Sequence, residues 1–265
     1  MLSIDSLSRE CFRSFAVLPG AQLISNGEVF GVMTGLPRTF FNGIATTNFD
    51  GAGVDAAIER TIEPFRANDC AFRWWVTPGT RPAELGPMLA AHGLRHVYDS
   101  AAMTADLTRP AANVAVEGDL DIRRVAGIEE MQEWSNVLLR VFGASAFETD
   151  AWLTAFSQIG LHEDSSWAHF VAFAGGSAVA TTSLMLAGEL AGVYHVATLP
   201  EARGRGIGAA VNAAALQYAR ERGAREAVLQ SSEMAVGVYR RIGFVQTSTV
   251  GMYEWRPGDG PHMTP

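Results

Sequence analysis

The chain of 265 residues contains no lysine, and all 20 of its basic side chains are arginine. A Walker A loop needs a lysine after its glycines, so that nucleotide cradle is excluded, as is Schiff-base chemistry on the protein. Cysteine is almost absent too: Cys11 and Cys70 stand far apart and outside any CxxC spacing, as expected of a reduced cytosolic protein. The first residues, MLSIDSLSRECFRSF, lack the basic-then-apolar order of a signal peptide, and no uncharged apolar run is long enough for a membrane span. The expectation is a soluble, cytoplasmic protein with no membrane partner. Neither HExxH nor G-x-S-x-G occurs, so zinc hydrolysis and serine-esterase chemistry have no support. Positive charge falls short of negative by 8, which argues against nucleic acid and leans towards cationic substrates.

What is present is concentrated in ARGRGIGAAVNAAALQYA, residues 202–219. The first N–H groups of a helix have no internal partners, and the helix dipole favours negative charge there. Glycines let a phosphate approach the backbone, and arginines add charge and forked donors. The stretch therefore predicts an anion site at a helix mouth.

Around it the pattern predicts a mixed α/β fold in two domains, 1–110 and 118–258, joined by a linker at roughly 108–118 around Arg109-Pro110. In the second domain a strand (120–124) and a helix (127–142) lead into three strands (167–174, 178–186, 191–198) with turns at Gly175-Gly176 and Ala187-Gly188. The glycine loop and its helix (206–222) follow, stopped by Gly223, then a strand (224–230), a short helix (236–242) stopped by Gly243, and a last strand or strand pair (245–255). The first domain repeats the end of this order: strand 42–49, helix from Gly51 to Arg66, strand 70–76, helix 82–91 stopped by Gly93, and an extended stretch 95–107. Gly51 precedes Gly206 by 155 residues and Gly93 precedes Gly243 by 150, so the halves read as a repeat, with the early elements of the first copy shortened. Where the second copy has Arg203 and Arg205, the first has Asn48 and Asp50, with Asp55 behind; carboxylates there would repel a phosphate.

A dinucleotide reading competes, since Gly204, Gly206 and Ala209 satisfy G-x-G-x-x-G/A and Glu226 stands near the place of a ribose-binding acid. Against an NAD site, Pro200–Arg203 intervene between strand and glycines, hairpins precede the loop, and Glu226 opens its strand instead of closing it. The better match lies elsewhere. Arg203-Gly204-Arg205-Gly206-Ile207-Gly208 fits the Q/R-x-x-G-x-G/A signature of the GNAT superfamily of N-acyltransferases. The second marker, a short helix with a tyrosine before a Gly-Phe turn, is present as Val238-Tyr239-Arg240-Arg241-Ile242-Gly243-Phe244. Residues 118–256 resemble that superfamily, and the first domain resembles a degenerate copy of the same fold, as in its tandem members.

The resemblance implies acetyl-CoA as cosubstrate and no metal. The loop from Gly204 through Arg205, Gly206, Ile207, Gly208 and Ala209 would hold the pyrophosphate on its backbone N–H groups, with Arg203 beside it. The main chain of Val196, Ala197 and Thr198 would hold the pantetheine arm and polarise the thioester, and the strand carrying it would splay from its neighbour. Tyr239 would protonate the leaving thiolate, and Ser232 stands where a polar cofactor contact is frequent. For the base that deprotonates an ammonium acceptor, His195 has a suitable ordinary pKa, with Glu148, Glu189 and water left open. The acceptor is expected to be a small-molecule or protein amine, and the chain a monomer or homodimer. A non-catalytic acyl-CoA sensor is the alternative; it would have no use for Tyr239. His92 and His96 straddle Gly93 at a helix end, which does not suit a metal pair. Phe40, Phe41, Trp74 and Trp75 read as first-domain core, or as an aromatic wall of the acceptor pocket.

Overall fold

The computed structural model describes residues 3–51, 53–109, 114–116, 118–162 and 164–258, so the linker's Pro110–Asn113 stretch lies outside the described residues. It divides into two units, Met1–Ala101 with Ser248–Pro265, and Ala102–Thr247.

In the first unit, helix α1 (Ser3–Phe15) precedes strands β1 (Gln22–Ser25), β2 (Val29–Met33) and β3 (Gly43–Thr47). Helix α2 (Val54–Ala67), β4 (Phe72–Val76), α3 (Leu85–Ala91) and β5 (Arg95–Asp106) follow. β1, β2 and β3 pair antiparallel in turn, and β3 pairs parallel with β4. The early elements of this copy are therefore present in the space of about fifty residues and are short, as the repeat implied; β1 and β2 are only four and five residues long. Phe41 and Trp74 are fully buried and Trp75 nearly so, with Trp75 edge-on to Phe12 and Trp74 Nε1 donating to Thr47 Oγ1 at 2.8 Å. These aromatics are packed within the unit's own core.

The second unit runs β6 (Asp121–Arg124), α4 (Ile128–Phe142), α5 (Ala146–Gly160), β7 (Trp167–Ala174), β8 (Ser177–Ala187) and β9 (Leu190–Thr198). Then come α6 (Ile207–Glu221), β10 (Glu226–Ser231), α7 (Val236–Arg241) and β11 (Val245–Trp255). β6 to β9 form an antiparallel meander, and β9 pairs parallel with β10, so β7 to β10 show the same sequence of pairings as β1 to β4. Gly175 and Gly176 both have positive φ (+58° and +79°), which a two-residue hairpin of matching twist requires. Alternation along the strands sends His169 to Trp134 and Phe156, on α4 and α5, and Phe170 to Tyr218 on α6. One helix pair covers one face of the meander, and the glycine-loop helix covers the other.

The helix mouths correspond as well. Gly53 caps α2 and Gly206 caps α6, both left-handed (φ +99° and +79°), so Gly206 aligns with Gly53, two residues on from Gly51. Gly93 and Gly243 end α3 and α7 in the same conformation. The boundaries differ from the expected ones in two respects: from Ala102 onward β5 belongs to the second unit, and from Ser248 onward β11 belongs to the first, where Gly251–Trp255 pair antiparallel with β4. Among the described residues no helix is long and apolar enough to cross a membrane.

Glu254 fixes that exchange of chain. Its buried carboxylate accepts from Arg73 Nε at 2.9 Å, Arg256 Nε at 2.6 Å and Thr39 Oγ1 at 3.2 Å. Burial alone would raise its pKa, but the bonds from Arg73 and Arg256 outweigh this and hold it below the ordinary value. A depressed folded pKa means that its contribution is full above about pH 4.5 and is lost as pH falls through the folded value. Glu254→Ala leaves Arg73 without its partner, and should cost about 3 kcal/mol in urea unfolding at pH 7, with the gap to the wild type narrowing in acid. A loss under about 0.5 kcal/mol, the range of ordinary surface changes, would remove this cluster from the determinants of stability.

Candidate functional site

β9 ends at Thr198, and the chain makes a single 3-10 turn, Pro200–Ala202, before the glycines. Gly204 and Gly206 are both left-handed, so the run folds into a loop that side chains with a Cβ would strain. Because the cap of α6 is a glycine, no side chain accepts the helix's first N–H groups. Two further glycine positions are set by close approach. A Cβ at Gly208 would stand 3.0 Å from Thr198 Oγ1, and one at Gly206 would stand 2.5 Å from the Ala115 carbonyl oxygen. Asn212, buried one turn on, donates to the Gly208 carbonyl at 2.7 Å and accepts from Thr182 Oγ1 at 3.1 Å, tying the helix start to β8. Arg203 is exposed and its Nε donates to the Thr198 carbonyl at 3.1 Å; Arg205 is half-buried. The one carboxylate in the 3-10 turn, Glu201, is paired with Arg140 of α4 at 3.1 Å. The sum is a backbone-donor loop beside two guanidinium groups, which suits a phosphate.

Beside the loop, β9 and β10 part. Their parallel register runs Leu190–Glu226, Ala191–Ala227 and Gly192–Val228, and no ladder continues past the last pair, although β9 goes on to Thr198 and β10 to Ser231. This is the splay that the resemblance implied, and it exposes a flank of β9 at Val196–Thr198. The two strands are parallel, so the glycine loop after β9 and α7 after β10 emerge at the same end of the sheet. Tyr239 on α7 is buried, its ring edge-on to Phe244 at 5.8 Å, and burial pushes its phenol up to about 12. It is therefore a proton donor, not an acceptor, at neutral pH. Ser232 is exposed at the end of β10, its carbonyl accepting from Ser231 Oγ and Ala235 N.

The acceptor-side candidates are not brought together. Glu189 sits before β9, roughly 20 Å of strand away from Val196. Glu148 is engaged in the capping box of α5 with Ser145. His195 lies at the parting of the strands, but its ring packs among Trp134, Trp152, Phe156 and Trp167 at centroid distances of 4.9–5.6 Å. Burial, with the charge that His169 would carry, holds its pKa well below 6.5. In the first unit, His92 is bracketed by Asp55 and Glu59, and His96 by Asp99. At that unit's equivalent helix mouth Asn48, Asp50 and Asp55 are exposed.

The aromatic cluster around His195 is the part that residue patterns did not predict. Its tryptophans are scattered over α4, α5 and β7, and α5 itself was not anticipated. The available signal was Ser145-Ala-Phe-Glu148, the capping-box spacing that starts α5.

Residues 128–244 match the acetyltransferase (GNAT) family. A mycothiol acetyltransferase of Cellulomonas flavigena is 38% identical over 81 residues, which are 29% of this chain and only 23% of that protein. Among solved structures, a GCN5-related N-acetyltransferase from Kribbella flavida superposes with TM-score 0.75 at 21% identity over 96% of each chain. A tandem GNAT protein from the clavulanic acid biosynthesis pathway gives 0.61 at 17% identity over 97% of this chain and 89% of that one. The glycine loop, the parting strands and Tyr239 all fall inside the segment, residues 128–244, that matches the acetyltransferase (GNAT) family.

Proposed function

We propose that the chain transfers an acetyl group from acetyl-CoA to an amine by direct attack on the thioester, in its second unit. The observation that carries this reading is the joint placement of an uncapped α6 mouth, two arginines and the parting of β9 from β10 at one end of the sheet. The Gly204–Ala209 backbone and Arg203 bind the pyrophosphate, and Val196–Thr198 line the pantetheine arm with main-chain groups. The thioester supplies the activated acyl group. An N–H of the Val196–Thr198 segment polarises its carbonyl, Tyr239 donates its proton to the departing sulfur, and the proton that the attacking nitrogen loses returns to the phenolate through water. Ser232, exposed at the end of β10, is a polar contact available to the arm. The first unit, with Asp50 and Asp55 exposed around its equivalent helix mouth, binds no acetyl-CoA in this reading.

Calorimetric titration with acetyl-CoA, with NAD in parallel, tests the reading. One acetyl-CoA per chain is expected and no NAD. Arg203→Ala should weaken binding about tenfold through loss of one charge-assisted contact, and Gly206→Glu should abolish it by placing a carboxylate on a left-handed cap. Two acetyl-CoA per chain would contradict the silence of the first unit, and NAD binding alone would restore the dinucleotide reading.

Tyr239→Phe separates enzyme from sensor once an amine panel gives turnover. kcat should fall about a hundredfold with acetyl-CoA affinity unchanged, the scale of a general acid. With the phenol at about 12, no loss of rate from its ionisation should occur below about pH 11. Equal rates in the two proteins would remove Tyr239 from the chemistry, and no turnover with tight acetyl-CoA binding would favour the sensor.

A further inference from the structure

His195 has the least ordinary backbone of the site. Its φ of +52° lies in the left-handed region, shared among the described non-glycine residues only by Asp69. For a residue with a Cβ this conformation is strained, and it persists only where the surroundings over-determine it. It stands where β9 carries one residue more than β8: the pairs Thr181–Ala197 and Ser183–Tyr194 leave His195 and Val196 opposite Thr182 alone. A bulge of this kind bends its strand and re-aims the backbone that follows. It comes three residues after β9 parts from β10 and immediately before the segment assigned above to the pantetheine arm.

Two sets of contacts hold the conformation. Thr181 Oγ1 donates to the His195 carbonyl at 2.9 Å. The imidazole is gripped on several sides: Trp134, Trp152 and Phe156 meet it edge to face, and Trp167 lies parallel to it within 20°. The residue as a whole is half-buried, but both ring nitrogens are closed to solvent. Behind it, His169 is buried with Nδ1 2.7 Å from Ser183 Oγ, and it fits because Gly160 has no Cβ, which would stand 2.5 Å from Nε2. Burial takes the His169 pKa down to about 3, so the two imidazoles are both neutral at physiological pH. Three elements, α4, α5 and β7, thus converge on one side chain whose nitrogens water does not reach.

We propose that His195 is a positioning residue and not the general base: its ring is a wedge in the aromatic cluster that holds the β9 bulge, and the bulge sets the Val196–Thr198 main chain for acyl-CoA. This rests on the acetyl-CoA reading above for its ligand, but the wedge itself is a property of the free protein. A base must reach the proton it removes, directly or through one water, and the closed ring nitrogens do not. Packing of an aromatic-sized ring is what the surroundings reward.

The test uses the full chain with His195→Phe, which refills the cluster and cannot take a proton, and His195→Ala, which empties it. Three quantities are compared: acetyl-CoA affinity by calorimetry, amide hydrogen exchange at Val196–Thr198, and the 15N shifts of the wild-type imidazole between pH 5 and 8. The Phe variant should keep the affinity within about threefold and the amide exchange unchanged. The Ala variant should lose tenfold or more in affinity, with faster exchange at those three residues. The wild-type imidazole should stay neutral across the range. Wild-type affinity and exchange in the Ala variant, or an imidazole that titrates between pH 5 and 8, would overturn the proposal. Should His195→Ala not fold, His195→Asn replaces it, since Asn tolerates the left-handed region but lacks the ring. Unchanged exchange in that variant would show that backbone preference, not the wedge, holds the bulge. If the wild type binds no acetyl-CoA, the functional reading fails, and exchange and 15N shifts still decide the wedge.

Discussion

The ladder between β9 and β10 is three residue pairs long, and the organisation of the second unit depends on its ending there. Two parallel strands that share a sheet would ordinarily pair to their ends, because a buried backbone donor or acceptor without a partner costs about as much as a lost hydrogen bond. Here pairing stops at Gly192 and Val228 while both strands continue. Close to that point Tyr194 folds back over Gly192, where a Cβ would meet its ring at 2.5 Å, and His195 turns left-handed. On its other side β9 stays in register with β8 as far as Thr198, apart from the one extra residue at the bulge. The strand is thus anchored on one edge and released on the other, which is what a strand needs if it is to pair with a ligand.

The released edge would be of little use without charge at its end. α6 starts directly after it, through a cap that is a glycine and so offers no side chain to the helix N–H groups. An uncapped helix start in solvent is tolerable, but the usual Ser, Thr, Asp or Asn at this position would contribute about 1 kcal/mol. The chain forgoes that and surrounds the mouth with Arg203 and Arg205, while Arg140 offsets the nearby Glu201. At the corresponding Gly53 the geometry is the same and the charges are opposite, with Asp50 and Asp55 exposed and Asp55 engaged with His92. Helix, cap and parallel strand pair recur in both units, so the backbone does not distinguish them. The side chains around the cap do.

Much of this was legible in the residues. The glycine loop, α6, the meander and the short helix of Tyr239 follow from spacing and from left-handed positions that only glycine occupies at low cost, and they lie where the pattern put them. Three things were not legible. α5 is apolar on much of its surface, with Phe147 exposed and Trp152 and Phe156 buried, so its periodicity is blurred and only its capping box marks it. The outer half of β11 leaves the second unit because of Glu254, whose partners Arg73 and Thr39 are some 180 and 215 positions away. And His195 looked like a base because an isolated histidine has a suitable pKa; its environment is made by Trp134, Trp152, Phe156 and Trp167, which no local window brings together.

That last point bears on how the proposed reaction is divided between backbone and side chains. An imidazole shut among aromatic rings is a poor proton acceptor, since burial strips water from the cation it would become. The same rings make it a good strut. Tyr239 is likewise buried, and burial pushes its phenol up to about 12, so it stays protonated and enters the step carrying the proton that the departing sulfur needs. Desolvation therefore keeps both residues uncharged, and the two neutral forms suit different uses: the imidazole packing, the protonated phenol donation. The polarising groups belong to the main chain of β9, whose direction is set by the bulge. In such a site the catalytic geometry is stored in a strand irregularity, and the side chains that matter most to it are those that keep the irregularity in place.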